Sequence, residues 1–411
     1  MRLAGRDVWL LRFALLFLLF AVVWLTLSLR KQLASPVEEA PVEDAQPARK
    51  YVKGGPGPWG HLEYVRINIE RPDELTHVPA AVPQPARWFF ENMAVSQVDE
   101  FLQGLNWEEA RRVRLLDPQR VQTTTNGVIV EPGDDLIMEL APTDRERIYA
   151  LLARSARNQA QQFPYAYHAA SLDAVFQQSG LLPRTVSLVT RMFYRRGNSA
   201  CFSDMDTVIR QLGSDPGEVR RLVKTMSRQT TLLVRLRIEP DTDVNTLIQY
   251  WGKGGRAKDI GPLLGSLTKI KGGASLDIAH LLPPLARMNL YTYPFPSGNT
   301  TNPAPNCLWT AFNFFHEEPD DRFFDYAYVD SVIARDYETI GAAPAYGDII
   351  YLATPEAGIL HTAVYIADDI VYTKNGGHYT QPWVLMRIDD MIASYPSTEA
   401  LRVGVLRRKS T

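Results

Sequence analysis

The sequence predicts an α+β protein with an N-terminal membrane helix, a mostly helical middle region, and a C-terminal domain in which a cysteine-bearing helix packs on an antiparallel sheet. Three observations lead there. Phe13–Leu29 carries no charge; helix-forming stretches punctuated by Gly and Pro fill 144–288; and after residue 345 three short apolar segments are separated by turn residues. The 411 residues carry 44 Lys+Arg and 46 Asp+Glu, a net charge of −2, with 45% hydrophobic and 22% charged residues. That balance excludes wholesale disorder, a collagen-like repeat and a polytopic membrane protein. Two cysteines, Cys201 and Cys307, exclude a disulfide scaffold and a four-cysteine zinc site.

The run FALLFLLFAVVWLTLSL is seventeen residues, roughly 25 Å as a helix, and the apolar Val8–Leu11 lengthens it. Trp9 and Trp24 suit the two interfaces, and Arg2, Arg6 and Arg12 precede the span, which predicts a cytoplasmic N-terminus. No A-x-A site follows, so residues 1–31 read as a signal anchor, with a cleaved signal peptide the competing reading. Everything beyond is then expected on the extracytoplasmic side. Residues 32–60 hold Pro36, Pro41, Pro47, Pro56 and Pro58 and read as a semi-rigid tether.

Residues 61–287 form the expected helical accessory region. His61–Ile69 alternates as a strand does, and so does Thr230–Ile238; between and after them helices are expected at Asp144–Gln161, Leu172–Gly180, Thr185–Tyr194, Asp204–Leu212, Pro216–Met226, Val244–Tyr250 and Ile278–Met288. Arg220, Arg221, Lys224, Arg228, Arg235 and Arg237 could make a basic patch, but acidic neighbours and the compartment favour a solvated face, and no nucleic-acid partner is expected. Gly252–Gly261 does not fit a phosphate loop and reads as a flexible turn.

The chemistry concentrates in 288–411. Pro303 and Pro305 stop a helix from extending backward, so Cys307 falls in a first helical turn, where unpaired N–H groups favour a thiolate. Gly347-Asp348 introduces the strand Ile349–Leu352. His361 opens a second apolar strand, Asp368-Asp369 make a tight turn, and Ile370–Lys374 forms a third strand ending at Asn375. A helix bearing Cys beside a sheet bearing His can bring thiol and imidazole within proton-transfer reach, and the imidazole needs a partner on its other nitrogen. Asn375 is the preferred orienter for its amide, with His378 and Thr373 as alternatives. Cys201 lacks such a partner and reads as structural, although a Cys201–Cys307 disulfide is a rival pairing. The remaining histidines show no metal spacing, and neither metal nor cofactor is expected.

This order of residues, Tyr291-Thr292-Tyr293, Cys307, Gly347-Asp348 and His361 within HTAVYIADD, resembles the NlpC/P60 cysteine peptidases over roughly residues 288–392. The resemblance implies a papain-like fold that cleaves amide bonds in bacterial peptidoglycan stem peptides; together with the signal anchor this predicts a single-pass inner-membrane protein with its C-terminal domain on the extracytoplasmic side. It places the third polar residue at Thr373, and Tyr293 near the substrate or the oxyanion. Asn306-Cys307-Leu308-Trp309 is bulkier than the family's acid-Cys-small pattern. The expected activity is therefore hydrolysis by a Cys307 thiolate. The alternatives are a non-catalytic wall-binding or scaffolding protein of the same fold, or transfer of the acyl group to an amine. Oligomeric state is not legible.

Overall fold

The computed structural model describes residues 50–409, except 77, 80, 106, 178, 198, 214, 295–303, 356–357 and 398–399. From Tyr51 on they form one compact unit. Among these residues no helix is long and apolar enough to cross a membrane. This corrects the expected fold and, with it, the single-pass inner-membrane placement; the expected span, Phe13–Leu29, lies outside the described residues.

The strands in chain order are β1 (Val52–Lys53), β2 (His61–Ile69), β3 (Trp88–Glu91), β4 (Val121–Thr124), β5 (Gly127–Val130), β6 (Tyr165–His168), β7 (Tyr194–Arg196) and β8 (Ser199–Phe202). They continue as β9 (Gln229–Ile238), β10 (Ala274–Asp277), β11 (Tyr337–Ile340), β12 (Ile349–Thr354), β13 (Gly358–Ala367), β14 (Ile370–Lys374), β15 (Trp383–Arg387) and β16 (Arg402–Arg408). They make four antiparallel sheets ordered β1-β2-β9-β10, β3-β5-β4, β6-β8-β7 and β11-β16-β12-β13-β14-β15.

The mostly helical middle region is thus corrected to a mixed one. The missed strands are three or four residues long, and β5 and β8 are buried along their whole length. A short run with both faces buried carries no alternation to read. Where alternation exists it is obeyed: in β9 Leu232, Val234, Leu236 and Ile238 are buried, and Glu63 pairs with Arg235 across the β2–β9 register at 2.7 Å. Each cation of the suspected basic patch has a carboxylate, including Arg220 and Lys224 on Asp73 and Arg228 on Glu70. Residues 51–60, read as the end of a tether, are tied down instead. β1 pairs with β2, and Trp59 O accepts from Trp251 Nε1.

One core runs from Leu62, Val234 and Trp251 through Leu285 to Trp309, Phe312, Val364 and Tyr372, across the expected boundary at 287/288. Thr231 fastens the two large sheets, its hydroxyl donating to Leu385 O and accepting from Leu385 N, each at 3.0 Å. On the other face of the C-terminal sheet a second core collects Ile350, Leu352, Ala363, Tyr365, Val371 and Met391. The two faces of β13 therefore enter different cores, and side-chain alternation decides which residue meets which.

Gly347-Asp348 has a structural reason. Gly347 sits at φ 88°, and a Cβ there would lie 2.4 Å from the Phe315 ring. Asp348 accepts from Ala345 N at 2.7 Å and pairs with Arg407 of β16 at 2.6 Å, closing the head of the sheet. Gly347→Ala is expected to cost about 1–3 kcal/mol, for backbone strain together with displacement of Phe315. The urea midpoint measures this, and an unshifted midpoint refutes it.

Candidate active site

Cys307 is the first residue of helix Cys307–Phe312, whose N-cap Asn306 accepts from Trp309 N at 2.9 Å. The residue is half-buried and free, as is the fully buried Cys201, so the rival disulfide is absent. Burial pushes the Cys201 thiol up to about 12, which suits an inert core residue. At Cys307 burial also raises the thiol, while the N–H and hydroxyl of Thr362 favour its thiolate. Among the described residues the buried Thr362 hydroxyl has no hydrogen-bond partner.

His361 lies one residue earlier on β13 and points to the opposite face. It is fully buried and stacked on Tyr395, with ring centroids 4.3 Å apart. Its Nε2 lies 2.9 Å from Thr373 Oγ1 and its Nδ1 lies 2.7 Å from Tyr395 Oη. The tautomer follows from counting protons. Thr373 Oγ1 also lies 3.2 Å from Thr362 O, and assigning its single proton there leaves it an acceptor toward His361. Nε2 therefore carries the proton, and Nδ1 is the basic nitrogen, accepting from Tyr395. Desolvation holds the imidazole neutral, its pKa lowered to about 3.

Thr373, not Asn375, is thus the orienter of His361. Asn375 donates to Met386 Sδ at 3.3 Å, and its Oδ1 is buried without a partner. His378 is exposed, and only its backbone enters the site, accepting through O from Lys374 Nζ at 2.8 Å. Tyr293 feels Arg71 and Glu70 rather than Cys307; burial lifts its phenol to about 12, and its hydroxyl is unpartnered. Among the described residues no hydrogen bond joins Cys307 to His361. What links them is Tyr395, which bonds Nδ1 and stands within electrostatic range of the sulfur.

A cavity of about 450 Å³ opens beside Tyr395, with Asn375, Gln381 and Tyr395 on one side and Tyr165, Tyr167 and His168 of β6 on the other. Three atoms in its wall, Asn375 Oδ1, Gln381 Oε1 and His168 Nδ1, are buried without partners among the described residues. The accessory region therefore supplies most of this cavity, which periodicity could not announce because β6 is a four-residue strand.

Among the described residues no cluster of His, Cys, Asp and Glu could hold a metal ion. Compared with family models, curated proteins and solved structures, the chain finds no match.

Proposed function

We propose that the C-terminal region is a cysteine hydrolase of amide bonds, with Cys307 as nucleophile and peptidoglycan stem peptides as the substrate class. The observation that carries this reading is the oriented imidazole. A buried His361 has its tautomer set by Thr373 and its basic Nδ1 turned to a hydroxyl, on the strand whose next residue faces a cysteine in a first helical turn. A thiol hydrolase needs its imidazole within proton-transfer reach of the sulfur, and on this reading Tyr395 supplies that reach.

On this reading the thiol proton passes to the Tyr395 oxygen as Tyr395 gives its own proton to Nδ1. The Cys307 sulfur attacks the amide carbonyl, and the imidazolium returns a proton by the same route to the leaving amine. Backbone N–H groups at Cys307 and Thr362 stabilise the oxyanion. Water then releases the acyl group. The cavity beside Tyr395 is lined by neither Cys307 nor His361, but its aromatic walls, and polar atoms that have no partner among the described residues, suit a short peptide. The peptidoglycan assignment rests on the resemblance of the Cys, Gly-Asp and His segments.

The test incubates the protein and its Cys307→Ser variant with purified muropeptides and follows new amines by mass spectrometry. Release by the wild type alone is expected, and equal release by both overturns the nucleophile. Adding an amine acceptor distinguishes transfer from hydrolysis by the product formed. A second reading, a binding protein of the same fold, draws on the occupation of both imidazole nitrogens by Thr373 and Tyr395. It predicts muropeptide binding with no new amine from either protein.

A further inference from the structure

Lys374 ends β14 and is fully buried, yet among the described residues it has no carboxylate partner. Its Nζ donates to Gly376 O and His378 O, each at 2.8 Å, and lies 5.9 Å from the centre of the Trp383 ring. Two carbonyls and an aromatic face solvate an ammonium but do not neutralise it, and a buried charge without a counter-ion is costly. The register shows where an anion would fit. Val364 stands opposite Tyr372, so two residues further along Thr362 comes opposite Lys374, on the same face of the sheet. Thr362 shares a face with Val364, whose core Cys307 packs against, and helix Cys307–Phe312 packs on both β13 and β14.

We propose that Lys374 is the cation that holds the Cys307 thiolate. The inference rests on reading Cys307 as a nucleophile, and it adds a residue that the Cys–His pattern does not contain. On ionisation the thiol proton leaves through Tyr395 to His361 Nδ1 and the ammonium keeps its own, so Lys374 and Cys307 form an ion pair without proton exchange between them. The imidazole cannot fill this role at rest, being neutral and directed to the other face of β13. The titratable groups on the flanking elements are Cys307 on the helix, His361 and Tyr365 on β13, Tyr372 on its own strand and Arg387 on β15. Of these only Cys307 acts on the ammonium. Burial lowers Lys374 to about 7, and a thiolate at Cys307 works against that fall.

The alternative is that Lys374 merely staples the loop 376–378. Cys307 alkylation by iodoacetamide, read by peptide mapping across pH in the full chain, separates the two. In Lys374→Met and Lys374→Gln the alkylation midpoint is expected to rise by at least one pH unit, with about a tenfold lower rate near neutrality. Lys374→Arg, which keeps the charge, is expected to restore the rate. An unchanged profile in the folded neutral variants overturns the proposal.

A wild-type measurement covers variants that fail to fold. Anionic iodoacetate is expected to outpace iodoacetamide at Cys307 several-fold more than at a free thiol peptide, with the advantage fading as the ammonium deprotonates. A ratio equal to that of the free peptide overturns the proposal. Both measurements read the thiol and not turnover, so an inactive enzyme in the muropeptide assay would leave them interpretable.

Discussion

Replacing Arg145 by methionine is expected to cost about 3–5 kcal/mol of folding stability, because it leaves a carboxylate buried without its cation. Arg145 is fully buried in the core built from Trp88, Tyr149, Tyr194 and Phe202. Its guanidinium donates to Ile137 O at 2.6 Å and Leu140 O at 3.3 Å, and Nε stands 3.0 Å from Asp204 Oδ2. Asp204 Oδ1 accepts from Tyr149 Oη at 2.5 Å. Burial raises the Asp204 carboxyl above the ordinary range, and Arg145 opposes that rise. With the cation gone, the carboxylate must take up a proton or stay charged in a dry core. Urea unfolding measures the loss, and a cost below about 1 kcal/mol refutes the argument. The double variant Arg145→Met/Asp204→Leu is expected to be more stable than Arg145→Met alone, since the orphaned charge goes with its partner.

Acidification is expected to destabilise the fold through His361. Its folded pKa of about 3 lies below the ordinary histidine value near 6.5. Between those values the unfolded chain binds a proton that the native state does not, so stability rises with pH across the window. The contribution is complete above about pH 6.5 and is lost as pH falls toward 3, at about 1.4 kcal/mol per unit. Removing the imidazole removes this dependence. Urea unfolding at two pH values within the window is expected to give a flatter pH slope for His361→Gln than for wild type, whatever the absolute stabilities. Parallel slopes would show that His361 is not held neutral. The slope is the useful readout, because His361→Gln also disturbs the bonds to Thr373 and Tyr395.

Three of the six strands of the C-terminal sheet were legible in advance, while β11, β15 and β16 were not read. The third strand, Ile370–Lys374, the Asp368-Asp369 turn and the helix start at Cys307 all fell where turn residues and prolines put them. His61–Ile69 and Pro216–Met226 matched to the residue for the same reason, since each has a clear period or a proline at its start. The short strands at 88–91, 127–130 and 199–202 escaped because burial on both faces erases the alternation that marks a strand.

The orienter of His361 escaped for a subtler reason. A threonine looks like a poor partner until its hydroxyl is found beside Thr362 O, where assigning its one proton leaves it an acceptor for His361. Tyr395 lies 34 positions from His361, and no local pattern connects them.

By itself, then, the order of residues determined the local elements: where a helix must start, which residues of a strand share a face, and which segments carry a thiol and an imidazole. These follow from sterics and periodicity, which act over a few residues. Only the tertiary structure decided that His361 and Thr362 face different cores, that Thr373 and Tyr395 hold the imidazole, and that Lys374 is buried with no carboxylate partner among the described residues. Those outcomes depend on which surfaces pack together, and packing joins residues far apart in the chain through burial and desolvation, which local pattern does not encode.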